Sequence, residues 1–310
     1  CPWWVWAPSH ATQAGHLAVL QWLRANSCPW NRWVCDGAAR TGRLDILKWA
    51  QAKGCPWGER TTADAAYSGH LTVLQWLHAQ GCPWDVTTCS AAARRGHLAV
   101  LQWARSAGCP WNETTCAFAA QGSHLEVLQW LHAEGCPWDA DTFTDAASHG
   151  HLHVLQWAHD NGCPWDAALT CAAAAQGGHL EVLQWLRSRG CPWDAGTCAD
   201  AAAQGHLAVL QWTRSAGCPW DEETCSAAAA NGHLEVLQWA RANGCPWDVR
   251  TCHAAILADR PAVTEWLRAN GCPWSKWAAK PANRAKLEWM VEREMQDKIE
   301  EACARRGADS

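Results

Sequence analysis

Hydrophobic and polar residues follow one pattern along this chain, and the pattern repeats about every 27 residues. One complete copy occupies residues 218–244 and has the sequence CPWDEETCSAAAANGHLEVLQWARANG. A fixed period of this length predicts an array of structural repeats. The tripeptide Cys-Pro-Trp opens each copy, at Cys1, Cys28, Cys55, Cys82, Cys109, Cys136, Cys163, Cys191, Cys218, Cys245 and Cys272.

Each repeat is predicted to form two short helices. Asp221 follows Cys-Pro-Trp and is a favoured N-cap residue, so the alanine-rich first helix begins there. Gly232 ends this helix, because glycine readily adopts the left-handed conformation of a C-terminal cap. In the second helix, predicted over residues 233–243, apolar residues occupy one face and charged residues the other. Gly244 and the proline of the next repeat end the second helix.

The repeats are predicted to stack. One pair of short helices cannot bury enough apolar surface to offset the entropy lost on ordering 27 residues. We expect the tryptophans of the turn and of the second helix, such as Trp220 and Trp239, to fill the contacts between repeats. The predicted fold class is an all-α helix-turn-helix solenoid of about ten repeats over residues 1–271, with a degenerate first repeat. Residues 272–310 leave the pattern and predict a C-terminal capping helix.

Composition narrows the classes of function. A net charge of −5 disfavours nucleic acid and anionic membranes as partners. No apolar run reaches the roughly 18 residues of a transmembrane helix, so an intracellular location, cytoplasmic or nuclear, is predicted. The chain begins inside a repeat, which favours additional N-terminal sequence such as a further domain of the same chain.

The 19 cysteines follow the repeat and show no pairing scheme of their own. Stacked helices lie about 8–10 Å apart, whereas a disulfide requires Cα atoms within about 7 Å. Equivalent cysteines of neighbouring repeats are therefore too far apart to be bridged. We expect reduced, buried cysteines that pack as small hydrophobic residues.

A cysteine and a histidine lie eight residues apart in many repeats, as Cys225 and His233 do. The pair could suggest a nucleophile and base or metal ligands, but an active site is not copied along an array, and no Cys-x-x-Cys pair is present. We predict no catalytic residue, no metal and no cofactor, and expect the histidine to form a hydrogen bond between repeats. A local histidine cluster is interpreted as solvated surface; it comprises His149, His151, His153 and His159.

The segment GHLEVLQWARANGC, residues 232–245, resembles the second half of an ankyrin repeat, and Thr224, Ala227 and Ala228 resemble its first helix. The similarity covers about nine repeats over residues 9–271. Two differences are a Cys225-Ser226 step in place of the Pro-Leu-His signature, and a repeat about six residues shorter than the usual 33. This short type, rich in Gly-Cys-Pro-Trp-Asp, is similar to proteins of large DNA viruses of protists and of some algae and amoebae. The resemblance implies an ankyrin-like stack with a tight turn in place of the β-hairpin finger.

A row of basic residues occupies the last turn of successive second helices. Opposition to the helix dipole explains each residue locally. The alternative is a phosphate-binding stripe for nucleic acid, but glutamates share the same polar face. The row comprises Arg24, Arg105, Arg187, Arg214, Arg241 and Arg268, with His78, His132 and His159 at the intervening positions.

The predicted function is a protein–protein interaction scaffold or adaptor that is not an enzyme. Its partner, a protein of unknown identity, is expected on the first-helix face, which is concave in ankyrin stacks. Residues there differ between repeats, and aromatic and arginine side chains dominate binding hot spots. Alternatives are the substrate-recognition part of an F-box-type ubiquitin ligase, a nucleic-acid binder, and a thiol or metal store. The candidate partner-binding residues are Trp33, Arg40, Arg60, Tyr67, Arg94, Arg95, Phe118, Gln121 and Asp145.

Overall fold

The computed structural model describes residues 6–274, and over this range the chain forms twenty helices joined by turns, without a strand. Odd-numbered helices are the first helices of the repeats, and even-numbered helices are the second. The helices are α1 Ala7–Gln13, α2 Leu17–Ala25, α3 Trp33–Arg40, α4 Leu44–Ala52, α5 Glu59–Tyr67, α6 Leu71–Ala79, α7 Val86–Arg94, α8 Leu98–Ser106, α9 Glu113–Gln121, α10 Leu125–Ala133, α11 Ala140–Ser148, α12 Leu152–Asp160, α13 Ala167–Gly177, α14 Leu180–Ser188, α15 Ala195–Ala203, α16 Leu207–Ser215, α17 Glu222–Asn231, α18 Leu234–Ala242, α19 Val249–Leu257 and α20 Pro261–Ala269.

The helix boundaries agree with the predicted caps. The side chain of Asp85 accepts a hydrogen bond from the backbone N–H of Thr87 and so caps α7. Helix α17 begins directly after Asp221 and ends before Gly232, which has a φ of 83°. Ser123 takes the left-handed position that glycine holds elsewhere, with a φ of 65°. The order Gly-Ser in this repeat, where others have Gly directly before the histidine, accounts for the exception.

The chain divides into two compact units, residues 1–192 and 193–310. In the first unit each first helix packs on the next one, from α1 on α3 to α11 on α13. In the described part of the second unit, α15 packs on α17 and α17 on α19. The alanines of these helices allow the close approach, and Ala92 and Ala93 of α7 are fully buried.

Each second helix buries its apolar face against the first helix of the same repeat. In α10 the buried side chains are Val127, Leu128 and Leu131. Glu126 and Gln129 on the opposite face are exposed, as the predicted amphipathic pattern requires. The connection from α6 to α7 is the short segment 80–85, so a tight turn replaces a β-hairpin finger here.

The turn cysteine, defined as the first residue of each Cys-Pro-Trp, joins consecutive repeats. In Cys55, Cys109 and Cys218 the thiol donates a hydrogen bond to a backbone carbonyl 24 residues earlier, in the turn before the first helix. Cys109 donates to the carbonyl of Asp85 at 3.5 Å, and Cys218 to that of Asp194 at 3.2 Å. The turn cysteine therefore satisfies a buried carbonyl as well as filling space.

The histidine at the start of the second helix also joins repeats, as the sequence predicts. His97 Nε2 lies 3.1 Å from the backbone oxygen of Tyr67, and His151 Nε2 lies 2.9 Å from that of Gln121. In both cases the acceptor is the last residue of the first helix in the preceding repeat. Arg260 replaces histidine in the last described repeat and makes the same bond, from Nε to the carbonyl of Ala230 at 3.1 Å.

The tryptophans form edge-to-face pairs between the turn and the second helix. The ring centroids of Trp84 and Trp103 lie 5.8 Å apart, within the range of favourable aromatic pairs. His78, from the preceding second helix, stacks on Trp84 at 4.1 Å and contacts Trp103 at 5.8 Å. Through His78, these tryptophans contact the preceding repeat, as predicted.

The expectation that all cysteines are reduced is wrong at one place: Cys171 and Cys191 form a disulfide, with a Cα–Cα distance of 6.8 Å. The expectation considered only equivalent cysteines. Cys171 lies on α13, and Cys191 is the turn cysteine of the next repeat, so the two are not equivalent. The other cysteines of residues 6–274 are buried thiols, as expected.

Within residues 6–274, no helix combines the length and the apolar character that crossing a bilayer requires. The predicted capping helix at 272–310 lies outside the described residues, apart from its first three positions. The predicted domain boundary at 271 stays a prediction.

Candidate functional site

The nine candidate residues lie along one row, which we call the first-helix row: the outward side chains of α3, α5, α7, α9 and α11, with the residues that directly follow these helices. Side chains at two positions of the row meet across each boundary between repeats. The last residue of one first helix faces a mid-helix residue 24 positions later in the next helix, as Arg40 faces Asp64. The stack therefore brings the candidates together in pairs.

Arg40 and Asp64 form an ion pair. Arg40 donates two hydrogen bonds to Asp64 Oδ1, from Nη2 at 2.6 Å and from Nε at 3.2 Å. Asp64 is buried, whereas about half of the Arg40 side chain is exposed. Arg60 Nε lies 3.8 Å from the other carboxylate oxygen of Asp64. The arginines therefore offset the charge of a buried carboxylate.

A second carboxylate, Asp36, is buried beside this pair with only 2% of its surface exposed. Thr61 donates a hydrogen bond of 2.6 Å to Asp36 Oδ1. Burial raises the pKa of Asp36, and this effect exceeds that of the Thr61 hydrogen bond, which lowers it. Asp36 Oδ2 has no hydrogen bond but lies 3.8 Å from Arg60 Nε and 3.9 Å from Arg32 Nε. Both aspartates are therefore buried, although they occupy positions that differ between repeats.

Arginines of the row also cover its aromatic residues. The guanidinium of Arg60 lies 4.6 Å from the ring centroid of Trp33, which is on the preceding first helix. Distances of this size give favourable cation–π interactions. Trp33 and Phe118 are consequently half-buried, and Tyr67 is exposed. Two further contacts are Arg95 over Tyr67 at 5.1 Å and Arg94 over Phe118 at 5.4 Å.

Gln121 and Asp145 continue the row on α9 and α11. The backbone oxygen of Gln121 accepts the hydrogen bond of His151, and its side-chain Oε1 is buried without a partner. Burial raises the pKa of Asp145, and the nearby His149 and Arg94 act in the opposite direction. Arg94, on α7, therefore partly offsets the effect of burial on Asp145.

The basic row of the second helices has a different environment. Arg105 stacks on Trp111 with 4.1 Å from its guanidinium carbon to the ring centroid, and Arg241 stacks on Trp247 at 4.2 Å. Arg241 Nη1 also donates to the backbone oxygen of Cys245 at 3.3 Å. These arginines hold the turn that joins two repeats, a role that the sequence did not indicate. Similar stacking is found for Arg24, Arg214 and Arg268, and for His78 and His132.

The histidines and cysteines that suggest chemistry are used in packing. His233 Nε2 lies 3.1 Å from the backbone oxygen of Ala203, while Cys225 is fully buried in α17. In the histidine cluster, His149 Nδ1 lies 2.9 Å from the backbone oxygen of Asp145. Within residues 6–274, no three side chains of His, Cys, Asp or Glu are grouped as metal ligands would be.

Part of the chain matches a known protein family. Residues 143–187, which run from α11 into α14, match the family described as Ankyrin repeats (many copies). The human ASB11 ankyrin repeat domain is similar in structure, with 18% sequence identity, a TM-score of 0.41, and coverage of 51% of this chain and 84% of that chain. No curated protein matches the chain.

The helix-turn-helix repeats of the described residues and the family match over residues 143–187 confirm the predicted fold class, all-α and ankyrin-like. Ankyrin repeats present extended surfaces that bind protein partners. The Gly-Cys-Pro-Trp-Asp subtype and an origin in viruses or protists stay predictions.

Proposed function

We propose that this chain is a protein-interaction module whose partner binds the first-helix row between α3 and α11. The observation that supports this location is the set of arginine–aromatic contacts at successive repeat boundaries, Arg60 on Trp33, Arg95 on Tyr67 and Arg94 on Phe118. The proposal requires neither a catalytic residue nor a cofactor.

An arginine that rests on an aromatic ring is well suited to binding. The ring restricts the side chain, so less conformational entropy is lost when a partner binds. Stacking uses the face of the guanidinium, and its N–H edge stays available for bidentate bonds to a carboxylate. Arg94 and Arg95 are both exposed on this row. We therefore expect the bound segment of the partner to carry Asp or Glu side chains.

In the second compact unit, the first helices α15 and α17 have alanine at the position of Arg94. Ala203 at the end of α15 and Ala230 on α17 are at the position of Arg94, and Ala227 is at the position of Phe118. Alanine offers little contact area and no hydrogen bond. The difference favours the row from α3 to α11 as the binding surface over the equivalent row of α15 and α17.

A nucleic-acid function would depend on the basic row of the second helices. Arginines of that row stack on tryptophans and donate to backbone carbonyls, as Arg214 does with Trp220 and the carbonyl of Cys218. No observation favours this second function over protein binding, and the same holds for the F-box-type ligase and for the thiol or metal store.

The test is selection of a displayed random-peptide library on the immobilised full chain. We expect the enriched peptides to carry acidic residues, and expect the double substitution Arg94→Ala and Arg95→Ala to lower their affinity at least tenfold. Arg105→Ala is the matched control, because it removes an arginine stacked on an aromatic ring, Trp111, outside the row. Peptides that bind the double variant and the unaltered chain equally would refute the proposed surface. Circular dichroism checks that each variant is folded.

A further inference from the structure

Most repeats contain a second cysteine, which we call the helix cysteine because it lies in the first helix, seven residues after the turn cysteine, or eight in the case of Cys171. The helix cysteine of one repeat meets the turn cysteine of the next repeat, 20 residues later. The Sγ atom of Cys252, on α19, lies 2.6 Å from the Sγ atom of the turn cysteine Cys272. Seven such pairs occur in the described residues: Cys35–Cys55, Cys89–Cys109, Cys116–Cys136, Cys171–Cys191, Cys198–Cys218, Cys225–Cys245 and Cys252–Cys272.

The geometry of these pairs suits a disulfide. The pair Cys171–Cys191 is already bonded, and its Cα–Cα distance of 6.8 Å lies within the range of known disulfides. The other pairs occupy the equivalent positions of their own repeats. All are buried, with at most 5% of each residue exposed. Only a small oxidant fits such a site without separating the repeats.

We propose that the paired cysteines are sites of oxidative modification, at which hydrogen peroxide converts two buried thiols into a disulfide between consecutive repeats. The inference does not depend on the proposed binding surface. It concerns the boundary between the first helix of one repeat and the turn of the next.

The reaction is balanced with hydrogen peroxide as the sole oxidant. One thiolate attacks a peroxide oxygen, the O–O bond breaks, and a sulfenic acid and one molecule of water form. The partner thiol then attacks the sulfenic sulfur, the S–S bond forms, and a second molecule of water leaves. Two electrons pass from the sulfur atoms to the peroxide, and the two thiol protons end in the water.

Contact between the two thiols also favours the first step, because the thiolate is the reactive form. A hydrogen bond from the thiol of Cys35 lowers the pKa of Cys55, against the opposing effect of burial. The thiol of Cys252 lowers the pKa of Cys272 in the same way. In these two pairs the turn cysteine favours the thiolate form, and the helix cysteine is the thiol that resolves its sulfenic acid.

Two turn cysteines provide internal controls. Thr62 occupies the helix-cysteine position that precedes Cys82, and Phe143 occupies the one that precedes Cys163. Burial raises the pKa of Cys82 to about 12 and that of Cys163 to about 12. Neither has a helix cysteine to resolve a sulfenic acid. We therefore expect both thiols to stay reduced under conditions that oxidise the pairs.

The experiment exposes the reduced full chain to hydrogen peroxide, stops the reaction with catalase, alkylates the remaining thiols in denaturant, and maps peptides by mass spectrometry. The expected result is the loss of both alkylatable thiols in each pair, cross-links between cysteines 20 residues apart, and alkylated Cys82 and Cys163. Oxidation of the chain in urea should give mixed pairings, because the pairing depends on the stack. Disulfides with mixed pairings in the folded chain, or paired cysteines that stay alkylated, would overturn the proposal.

Two substitutions test the pairing directly, since one removes a pair and the other creates one. Each introduces a residue that another repeat carries at the helix-cysteine position. Cys89→Thr introduces the residue that the preceding repeat carries there, and should leave Cys109 alkylated after peroxide. Thr62→Cys introduces the common residue, and should make Cys82 lose its alkylation and cross-link to position 62. Both changes are close in volume, and circular dichroism confirms folding. A folded Thr62→Cys variant in which Cys82 stays alkylated would contradict the inference even if Cys89→Thr failed to fold.

Discussion

The substitution Gly96→Ala, which adds one methyl group, tests the contact between two repeats. Gly96 follows α7 with a φ of 73°, in the left-handed region that favours glycine. A Cβ atom there would lie 2.5 Å from Nδ1 and 2.7 Å from Cε1 of His124, which belongs to the next repeat. The His124 ring makes a hydrogen bond to the backbone oxygen of Arg94, so it cannot move without losing that bond. Gly96→Ala should therefore disturb both the turn and the boundary between repeats.

Gly81 provides the matched control. It has the same φ of 73°, at the end of the second helix, but a Cβ atom there would meet nothing within 4 Å. Gly81→Ala should cost only the left-handed conformation, about 1–2 kcal/mol of unfolding free energy. Gly96→Ala should cost this amount plus about 1–3 kcal/mol for displacing the histidine from the carbonyl of Arg94. The total expected loss at Gly96 is therefore about 2–5 kcal/mol.

Urea denaturation followed by circular dichroism measures both losses, and His124→Ala completes a double-mutant cycle. With His124 truncated, the methyl group at position 96 has room, so its cost should fall to that of Gly81→Ala. Equal losses of unfolding free energy for Gly96→Ala and Gly81→Ala, each in an otherwise unaltered chain, would refute the inference that Gly96 leaves room for the ring of His124.

Two more predictions concern the stack. Burial lowers the pKa of His97, His124 and His151. The pKa of each histidine in the folded state therefore lies below its unfolded value of about 6.5. The contribution of these histidines to the free energy of unfolding is fully present above that pH and is lost as they become protonated at lower pH. Thermal unfolding from pH 7 to pH 5 should show a falling Tm, and replacement of all three by glutamine should flatten the decline; an unchanged slope would exclude these histidines as its source. Trp103→Ala, which removes the contacts to Trp84 and His78, should cost about 2–3 kcal/mol, whereas Trp22→Ala, at a side chain 59% exposed, should cost less than about 1 kcal/mol. Equal losses in urea denaturation would contradict the assignment of tryptophan to the repeat boundary.

Much of the local structure could be predicted from the sequence. The N-cap at Asp221, the end of α17 before Gly232 and the buried face of the second helices are set by residues within one turn of one another. Such signals act over a few residues, and the repeat presents them many times. The role of the histidine followed from its position at the start of the second helix, and His233 confirms it.

The candidate surface was harder to predict. Variation between repeats drew attention to Arg40, Arg60 and Tyr67, and all three do lie on the first-helix row. Variation did not show that Asp64 is buried as the partner of Arg40, nor that Arg95 covers Tyr67. Each contact joins residues that are about one repeat apart. Its existence depends on how far each helix is displaced along its neighbour, and no local pattern contains that displacement.

By itself, the sequence determined the number and length of the helices, their caps, and the face that each second helix buries, because periodicity and capping are local properties of the chain. Only the tertiary structure decided which residues meet across a boundary: cysteines 20 residues apart, arginine and aspartate 24 apart, and histidine and carbonyl 30 apart. All three separations differ from the 27-residue period. Inter-repeat contacts join different positions of neighbouring repeats, and the packing of one helix pair on the next sets which positions these are.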